Sequence, residues 1–216
     1  TITDVEVKKQ INELNINKGA GPDGLPPIFI KSCVDSIYYP LLIIFNKSLS
    51  EGIFPCAWKR AQVVPILKGG NKNSVLNYRP ISMLSVPGKI FEAIVTSEIF
   101  FKTKHLISEH QHGFFQGRSV ATNLISFVQS TIDSMSNRKQ VDAVYTDFSK
   151  AFDKIHHNTL LVKLENIGVH GNLLRWVTSY VQNRSQCIKI NNFTSSYINI
   201  TSGVPQGSHL GPLLFS

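Results

Sequence analysis

Acidic residues are scarce in this chain: 14 Asp and Glu stand against 22 Lys and Arg in 216 residues, a formal charge of +8 with a pI near 9.4. The first 105 residues carry 13 basic and 8 acidic side chains, the remainder 9 and 6. The excess is therefore spread along the chain, which excludes a single charged tail and suits a polyanionic partner. Cysteine is scarcer still. Cys33, Cys56 and Cys187 lie far apart, are odd in number and form no CxxC pair. That excludes a disulfide scaffold and a zinc framework, and fits reduced thiols in an intracellular compartment. The histidines do not change this, because the adjacent pair His156–His157 and the pair His110/His112 have no Cys or Glu at ligand spacing. Long apolar runs are absent. The longest, Tyr38–Phe45, is interrupted by Pro40 and falls well short of the ~18–20 residues of a membrane span. The polar first residues, "TITDVEVKKQ", do not read as a secretory signal, and the 216 residues show no internal repeat or low-complexity tract. The first residue is Thr1 and not Met, which reads as a piece of a longer polypeptide. A Gly-rich strand-to-helix phosphate loop is also missing, which argues against a doubly wound sheet.

What is present reads as a globular α+β chain, with 42% hydrophobic and 17% charged residues. Val7, Ile11 and Leu14 are at helical spacing, and "KGAGPDGLPP" after them is turn-rich. Residues 28–50 read as a helix, broken near Pro40 and ended by Gly52. "RAQVVPILKGGNKNSVLNYRPISML" reads as two strands joined by a polar loop, with Pro65 favouring an edge or bulged strand. Helices are expected from Pro87 onward, with Ile90, Phe91, Ile94, Val95 and Ile99 on one side, and from Val120 to about Met135. Two more are expected in "HNTLLVKLENIG" and "GNLLRWVTSYVQN", and one beginning at the C-terminus. The β-favouring run Asp142–Asp147 predicts a buried strand, and "QCIKI-NNFTSS-YINI" predicts a hairpin.

The acid that closes the predicted strand, Asp147, sits at the end of the apolar run Val141–Tyr145. A carboxylate there either caps the following helix, a task Ser149 could share, or holds a hard cation beside a phosphate. Its neighbours weigh on that choice. "DFSKAFD" (147–153) resembles motif A of reverse transcriptases, and "SGVPQGSHLGPLLF" (202–215) resembles their motif B. The intervening "NTLLVKLENIGVHGNLLRWVTSYVQNRSQ" is similar to the connecting segment of non-LTR (LINE-type) retrotransposon polymerases. "NKGAGPDGLPPIFIK", "VVPILKGGNKNSVLNYRPISML" and "QHGFFQGRSVATNL" resemble fingers segments of the same family, in the same order. The resemblance covers nearly the whole chain.

The resemblance implies a right-hand polymerase: a fingers-like region with an N-terminal extension over 1–140, and a partial palm with an incomplete antiparallel sheet packed on helices over 141–216. It implies RNA-templated DNA synthesis by nucleotidyl transfer with Mg²⁺, two ions about 3.5–4 Å apart. Asp147 and the backbone carbonyl of Phe148 would be metal ligands, with Asp147 the catalytic acid. Phe152 would be the gate whose ring excludes a ribonucleotide 2′-hydroxyl, which argues against an RNA polymerase. Asp153 would be structural. Lys68 (alternatively Lys72) and Arg79 would reach the triphosphate of the incoming deoxynucleotide, and Gln206 and Gly207 its sugar and base, with Gly207 allowing close backbone approach. Lys89, Arg118 and Lys150 would touch template or primer phosphates. RNA template, DNA primer and deoxynucleoside triphosphates are the implied partners. A C-terminal palm portion, a thumb and an upstream endonuclease domain are implied elsewhere in a longer chain, with action in the nucleus and no membrane.

Three departures from the family pattern stand out. His209 occupies a position where motif B usually has a small or apolar residue. His112 and Phe115 stand where an aromatic and a basic residue are usual, which removes a phosphate contact. No Asp-Asp pair occurs anywhere in the chain, so the acids of motif C are missing, and the 216 residues alone are expected to be inactive as a polymerase. The alternative expectation is a catalytically dead retrotransposon relic that binds RNA or primer-template.

Overall fold

A computed structural model describes all residues, 1–216. The chain begins with α1 (Asp4–Asn12), whose first turn is closed by a reciprocal pair: the Thr3 hydroxyl accepts from the Glu6 N–H, and Glu6 accepts from the Thr3 N–H. The Gly- and Pro-rich loop that follows runs into α2 (Pro27–Ser32) and α3 (Val34–Glu51). The predicted break falls at Cys33 and not at Pro40, which lies inside α3. Pro40 is exposed, so the Ser36 carbonyl it deprives of a partner faces water and the helix persists. Gly52 ends α3 at φ 69°, as expected for a left-handed C-terminal residue.

Strands β1 (Arg60–Leu67) and β2 (Tyr78–Met83) form the expected antiparallel hairpin around the polar loop. The long helix α4 (Val86–Thr103) follows, with Pro87 in its first turn, and then α5 (Val120–Ser136). The two helical stretches of the middle region are α6 (His157–Asn166) and α7 (Gly171–Val181). After them come β3 (Arg184–Ile190), β4 (Phe193–Thr194), β5 (Ile198–Ile200) and the C-terminal α8 (Leu210–Phe215).

The sheet is mixed and not antiparallel throughout. β1 pairs antiparallel with β2 but parallel with β3, over Arg60–Val63 against Ser185–Ile188, and β3 carries β4 and β5 antiparallel on its far side. β1 is therefore central. Pro65 is tolerated because it lies beyond the stretch that β3 pairs, opposite Pro80 of β2.

The expected strand Asp142–Asp147 is not formed. Residues 141–148 run without pairing on the surface, with Val144 and Tyr145 each 86% exposed. These residues pair with no strand, and propensity without a partner does not make a strand.

The core lies between α1, α3, α4, α6 and α7. Phe45 of α3 stacks on Phe91 of α4 with centroids 4.4 Å apart, and Trp176 and Tyr180 of α7 meet Phe54 edge-on at 5.3 and 5.1 Å. The Trp176 indole N–H donates to Ser48 Oγ at 2.9 Å, so its polar atom is satisfied inside the core. Truncating such an aromatic to Ala typically costs ~3–5 kcal/mol. By contrast, α5 contributes no buried residue.

Candidate active site

Residues 149–154 form a tight turn in which the Asp153 and Lys154 N–H groups donate to the Lys150 carbonyl at 3.1 and 3.2 Å, with Lys150 at φ 55°. Asp147 precedes this turn. It is exposed and enters no hydrogen bond or ion pair. The next helix, α6, takes His156 as its N-terminal flanking residue, so the capping role does not belong to Asp147 or to Ser149. Phe148, also exposed, lies edge-on to Phe215 at 5.7 Å. Phe152 is half-buried, its ring 6.2 Å from that of Phe114 and 5.6 Å from that of Phe215.

The motif B stretch folds directly onto this turn. The Val204 N–H donates to the Phe152 carbonyl at 2.9 Å and the Gly203 N–H to the Ile155 carbonyl at 2.8 Å. A Cβ on Gly203 would sit 2.7 Å from the Phe152 carbonyl oxygen, and its φ is 81°, so glycine is required by both space and backbone. His157 Nε2 donates to the Gly203 carbonyl at 2.7 Å from a buried position. Farther on, Gln206 Nε2 donates to Asp153 Oδ1 at 3.1 Å, and the Gln206 carbonyl accepts the Ser82 N–H at 2.8 Å. Gly207, at φ 108°, would place a Cβ 3.3 Å from the Ser82 carbonyl oxygen. One loop is thus tied to the motif A turn on one side and to the end of β2 on the other. Asp153 and Gln206 line a cavity of about 310 Å³ together with Gln186 and Asn199.

Lys68 and Arg79 sit at the other end of the β1–β2 hairpin. The Lys68 N–H donates to the Asn77 carbonyl at 2.8 Å, Arg79 is opposite Ile66, and both side chains are exposed and unpaired. Lys72 lies in the hairpin tip, where its carbonyl accepts from the Tyr78 hydroxyl at 2.9 Å. No hydrogen bond or ion pair joins this end to Asp147.

Arg118 is committed locally. Its Nη1 donates to the Ser108 and Gln111 carbonyls at 3.0 and 2.7 Å, and its guanidinium covers the Phe115 ring at 4.0 Å. Phe115 in turn packs on Phe100 at 5.1 Å, and His112 Nδ1 meets Thr122 Oγ1 at 2.9 Å. The unusual residues of this segment therefore build the loop that leads into α5. Lys150 is exposed on its turn, whereas Lys89 is half-buried at the start of α4.

The donors attributed to Mg²⁺, the Asp147 carboxylate and the Phe148 carbonyl, are hard oxygens, exposed and free of protein partners. They fit the ion in kind. No cluster of three or more His, Cys, Asp and Glu converges on them or elsewhere.

Sequence reasoning missed a buried polar group behind motif B. Glu92 of α4 is 1% exposed, and its Oε2 accepts the His209 N–H at 3.0 Å. Burial pushes its carboxyl above the usual carboxylate range, against the opposing pull of Arg184 and that N–H. Arg184 is equally buried, donates from Nη1 to the Tyr180 carbonyl at 3.1 Å and covers the Tyr180 ring at 4.9 Å. Its Nε and Nη2, and the Tyr180 hydroxyl, have no partner. One signal was available: Glu92 follows Phe91 on the apolar side of α4, where an acid is out of place.

The fold and this loop arrangement agree with a match of residues 67–216 to the family described as reverse transcriptase (RNA-dependent DNA polymerase). The chain belongs to that family. Its relatives place it in the non-LTR retrotransposon branch. It is 33% identical, over its whole length, to the RNA-directed DNA polymerase from mobile element jockey of Drosophila melanogaster, of which it covers 24%. It is 30% identical over 98% of its length to the probable RNA-directed DNA polymerase from transposon BS of the same species, again covering 24% of that protein. The probable polymerase from transposon X-element is 28% identical over 97% of this chain. The chain spans about a quarter of the length of the curated relatives it matches. No helix is long and apolar enough to cross a membrane.

Proposed function

We propose that the chain is the fingers (1–140) and part of the palm (141–216) of a reverse transcriptase that copies RNA into DNA from a primer. The observation that carries this reading is the docking of the motif B loop between the motif A turn and β2, beside an acid, Asp147, that has no structural employment. In this reading Gln206, oriented by Asp153, meets the sugar and base of the incoming nucleotide. Gly207 leaves bare backbone beside the nascent pair. Phe152 blocks a 2′-hydroxyl by steric contact. Lys68 and Arg79, both unpaired, bind the triphosphate, Arg79 through a planar fork that matches two phosphate oxygens. Asp147 and the Phe148 carbonyl would hold Mg²⁺, which when bound supplies charge neutralisation for the phosphates and acidity at the primer hydroxyl. Further carboxylates, a thumb and an endonuclease domain belong in this reading to the larger part of the relatives' length that the chain does not span. Action in the nucleus follows from the same reading.

The test is primer extension on an RNA template by the longer polypeptide containing this chain. Asp147→Asn should abolish extension while duplex binding persists, and extension that survives would remove Asp147 from the metal site. A second reading, a relic that binds RNA or primer-template without catalysis, is supported by the charge of +8. It predicts salt-sensitive duplex binding with no extension by the longer polypeptide.

A further inference from the structure

We infer that Glu92 is a positioning residue for the motif B loop: from inside α4 it fixes the far end of that loop through the His209 N–H, and so sets Gln206 and Gly207 for the incoming nucleotide. The inference deepens the polymerase reading, and rests on it for the reaction affected. The loop runs from the end of β5 at Ile200 to the start of α8 at Leu210. Its first half is tied down by the Gly203 N–H to the Ile155 carbonyl at 2.8 Å and by the Val204 N–H to the Phe152 carbonyl at 2.9 Å. Its middle is held where the Gln206 carbonyl accepts the Ser82 N–H at 2.8 Å. Gly207, at φ 108°, and Ser208 follow. Past Gln206, the loop's one hydrogen bond to another part of the chain is the His209 N–H to Glu92 Oε2 at 3.0 Å.

Nothing nearby can replace that acceptor. α8 begins without a side-chain cap. The hydroxyl next to it, Ser208 Oγ, donates to the Pro205 carbonyl at 2.9 Å and accepts the Gly211 N–H at 3.0 Å, so it is already in use. Removing the Glu92 oxygens therefore strands an amide at the start of the helix and frees the loop between Gln206 and α8. The contact uses the backbone of residue 209 and is indifferent to its side chain. That accounts for a His being accommodated where motif B usually has a small or apolar residue.

An acid is also a costly choice at this place. Burial pushes the Glu92 carboxyl above its usual range, and Arg184, the His209 N–H, Lys89 and Tyr180 oppose that without cancelling it. No ion pair satisfies Glu92 directly. Apolar side chains in place of buried charges are often neutral or stabilising, so packing alone does not call for Glu92. What the acid adds is an anchor. Arg184 of β3 stands opposite Ile200, the last strand residue before the loop, and Glu92 holds His209, the last residue before α8. Arg184 and Glu92 attract each other, so both ends of the loop are rooted in one buried polar cluster. The Tyr180 hydroxyl of α7 lies in the same cluster, beside Glu92 and Ser208.

The experiment is steady-state primer extension on an RNA template by the longer polypeptide containing this chain, with the deoxynucleotide concentration varied. Glu92→Met keeps the length of the side chain and removes both oxygens. A loop released at His209 spends a smaller fraction of its time in the working position, which weakens nucleotide binding without altering the chemical step. KM for the deoxynucleotide should therefore rise on the order of tenfold, while kcat and primer-template affinity stay within about twofold. Glu92→Gln keeps an acceptor and should restore KM. Glu92→Asp, a milder change that draws the oxygens back by one methylene, should shift KM in the same direction as Glu92→Met. Val95→Ala, a buried truncation elsewhere on α4, should lower the melting temperature and leave KM unchanged, which separates positioning from a general loss of stability. Hydrogen-exchange mass spectrometry on the same polypeptide reads the anchor without catalysis: amides of residues 206–209 should exchange faster in Glu92→Met and Glu92→Asp than in wild type or Glu92→Gln. Equal exchange in all four would mean that the anchor is absent, and faster exchange with an unchanged KM would mean that the reaction does not depend on it. Either result overturns the positioning role and leaves the polymerase reading standing. A wild type that extends no primer overturns the reading, and the role of Glu92 with it.

Discussion

At the scale of single residues, the turn after Asp147 and the loop at 203–207 are tied together by backbone hydrogen bonds, and the roles proposed for their side chains can be tested one at a time. Substituting Phe152 by Ala in the longer polypeptide should raise ribonucleotide incorporation relative to deoxynucleotide incorporation, measured by single-nucleotide extension, and an unchanged ratio would remove the gate. Gly203→Ala should destabilise the chain by more than ~1 kcal/mol, because the added methyl meets the Phe152 carbonyl and Asp153 backbone at 2.7–2.8 Å in a φ of 81°. A thermal melt checks this. Glu92 gives a pH signature. Its folded-state carboxyl titrates above the ordinary range, so the unfolded chain loses this proton first as pH rises. The contribution of Glu92 to stability is fully present below the unfolded value of about 4.3 and declines as pH rises through the raised one. Glu92→Gln keeps an acceptor for the His209 N–H and abolishes the titration, so its melting temperature relative to wild type should climb from pH 4.5 to pH 7.5. Glu92→Ala strands that N–H and should cost ~1–3 kcal/mol. The contact between the turn that holds Phe152 and the loop that holds Gln206 and Gly207 joins two segments that short, ordered sequence patterns had already singled out. The Glu92–His209 contact was not legible in the sequence, since its partners are 117 residues apart and no local pattern announces them.

At the scale of elements, the sequence is reliable where a helix buries its own apolar face and misleading where a partner must come from elsewhere. α4 and α7 were readable because Ile90, Phe91, Ile94, Val95, Trp176, Val177 and Tyr180 are buried at helical spacing. The run Asp142–Asp147 has the composition of a strand and stays unpaired, because pairing depends on a neighbour that local residues do not encode. α5 is a similar case. Its apolar residues Leu124, Ile125, Phe127, Val128 and Ile132 keep 43–67% of their surface in solvent, an exposed patch of the kind that drives association. Amides of α5 and of residues 141–148 should exchange with solvent faster than those of α4 and α7, as read by hydrogen-exchange mass spectrometry. Replacing Leu124 and Ile125 by Gln should leave the melting temperature within the ~0.5 kcal/mol expected of surface changes while lowering self-association in sedimentation. A drop in stability would mean that α5 is packed.

At the scale of the whole molecule, the hairpin, the helices and the motif B loop were each foreseeable, but the junction that unites them was not. β1 and β3 run side by side in the same direction, and Cys187 Sγ points to the Ala61 carbonyl, 126 residues earlier. Nothing in either segment specifies the other, since parallel partners are joined by no turn. That pairing has a consequence for how the chain is made. At roughly 5–20 residues per second, a ribosome that has released β1 needs on the order of 10 s to deliver β3. During that interval Phe45, Phe54 and Phe91 stand without Trp176 and Tyr180, and one edge of β1 lies open. Nascent chains arrested near residue 150 should therefore recruit cellular chaperones, and those extended past residue 190 should shed them.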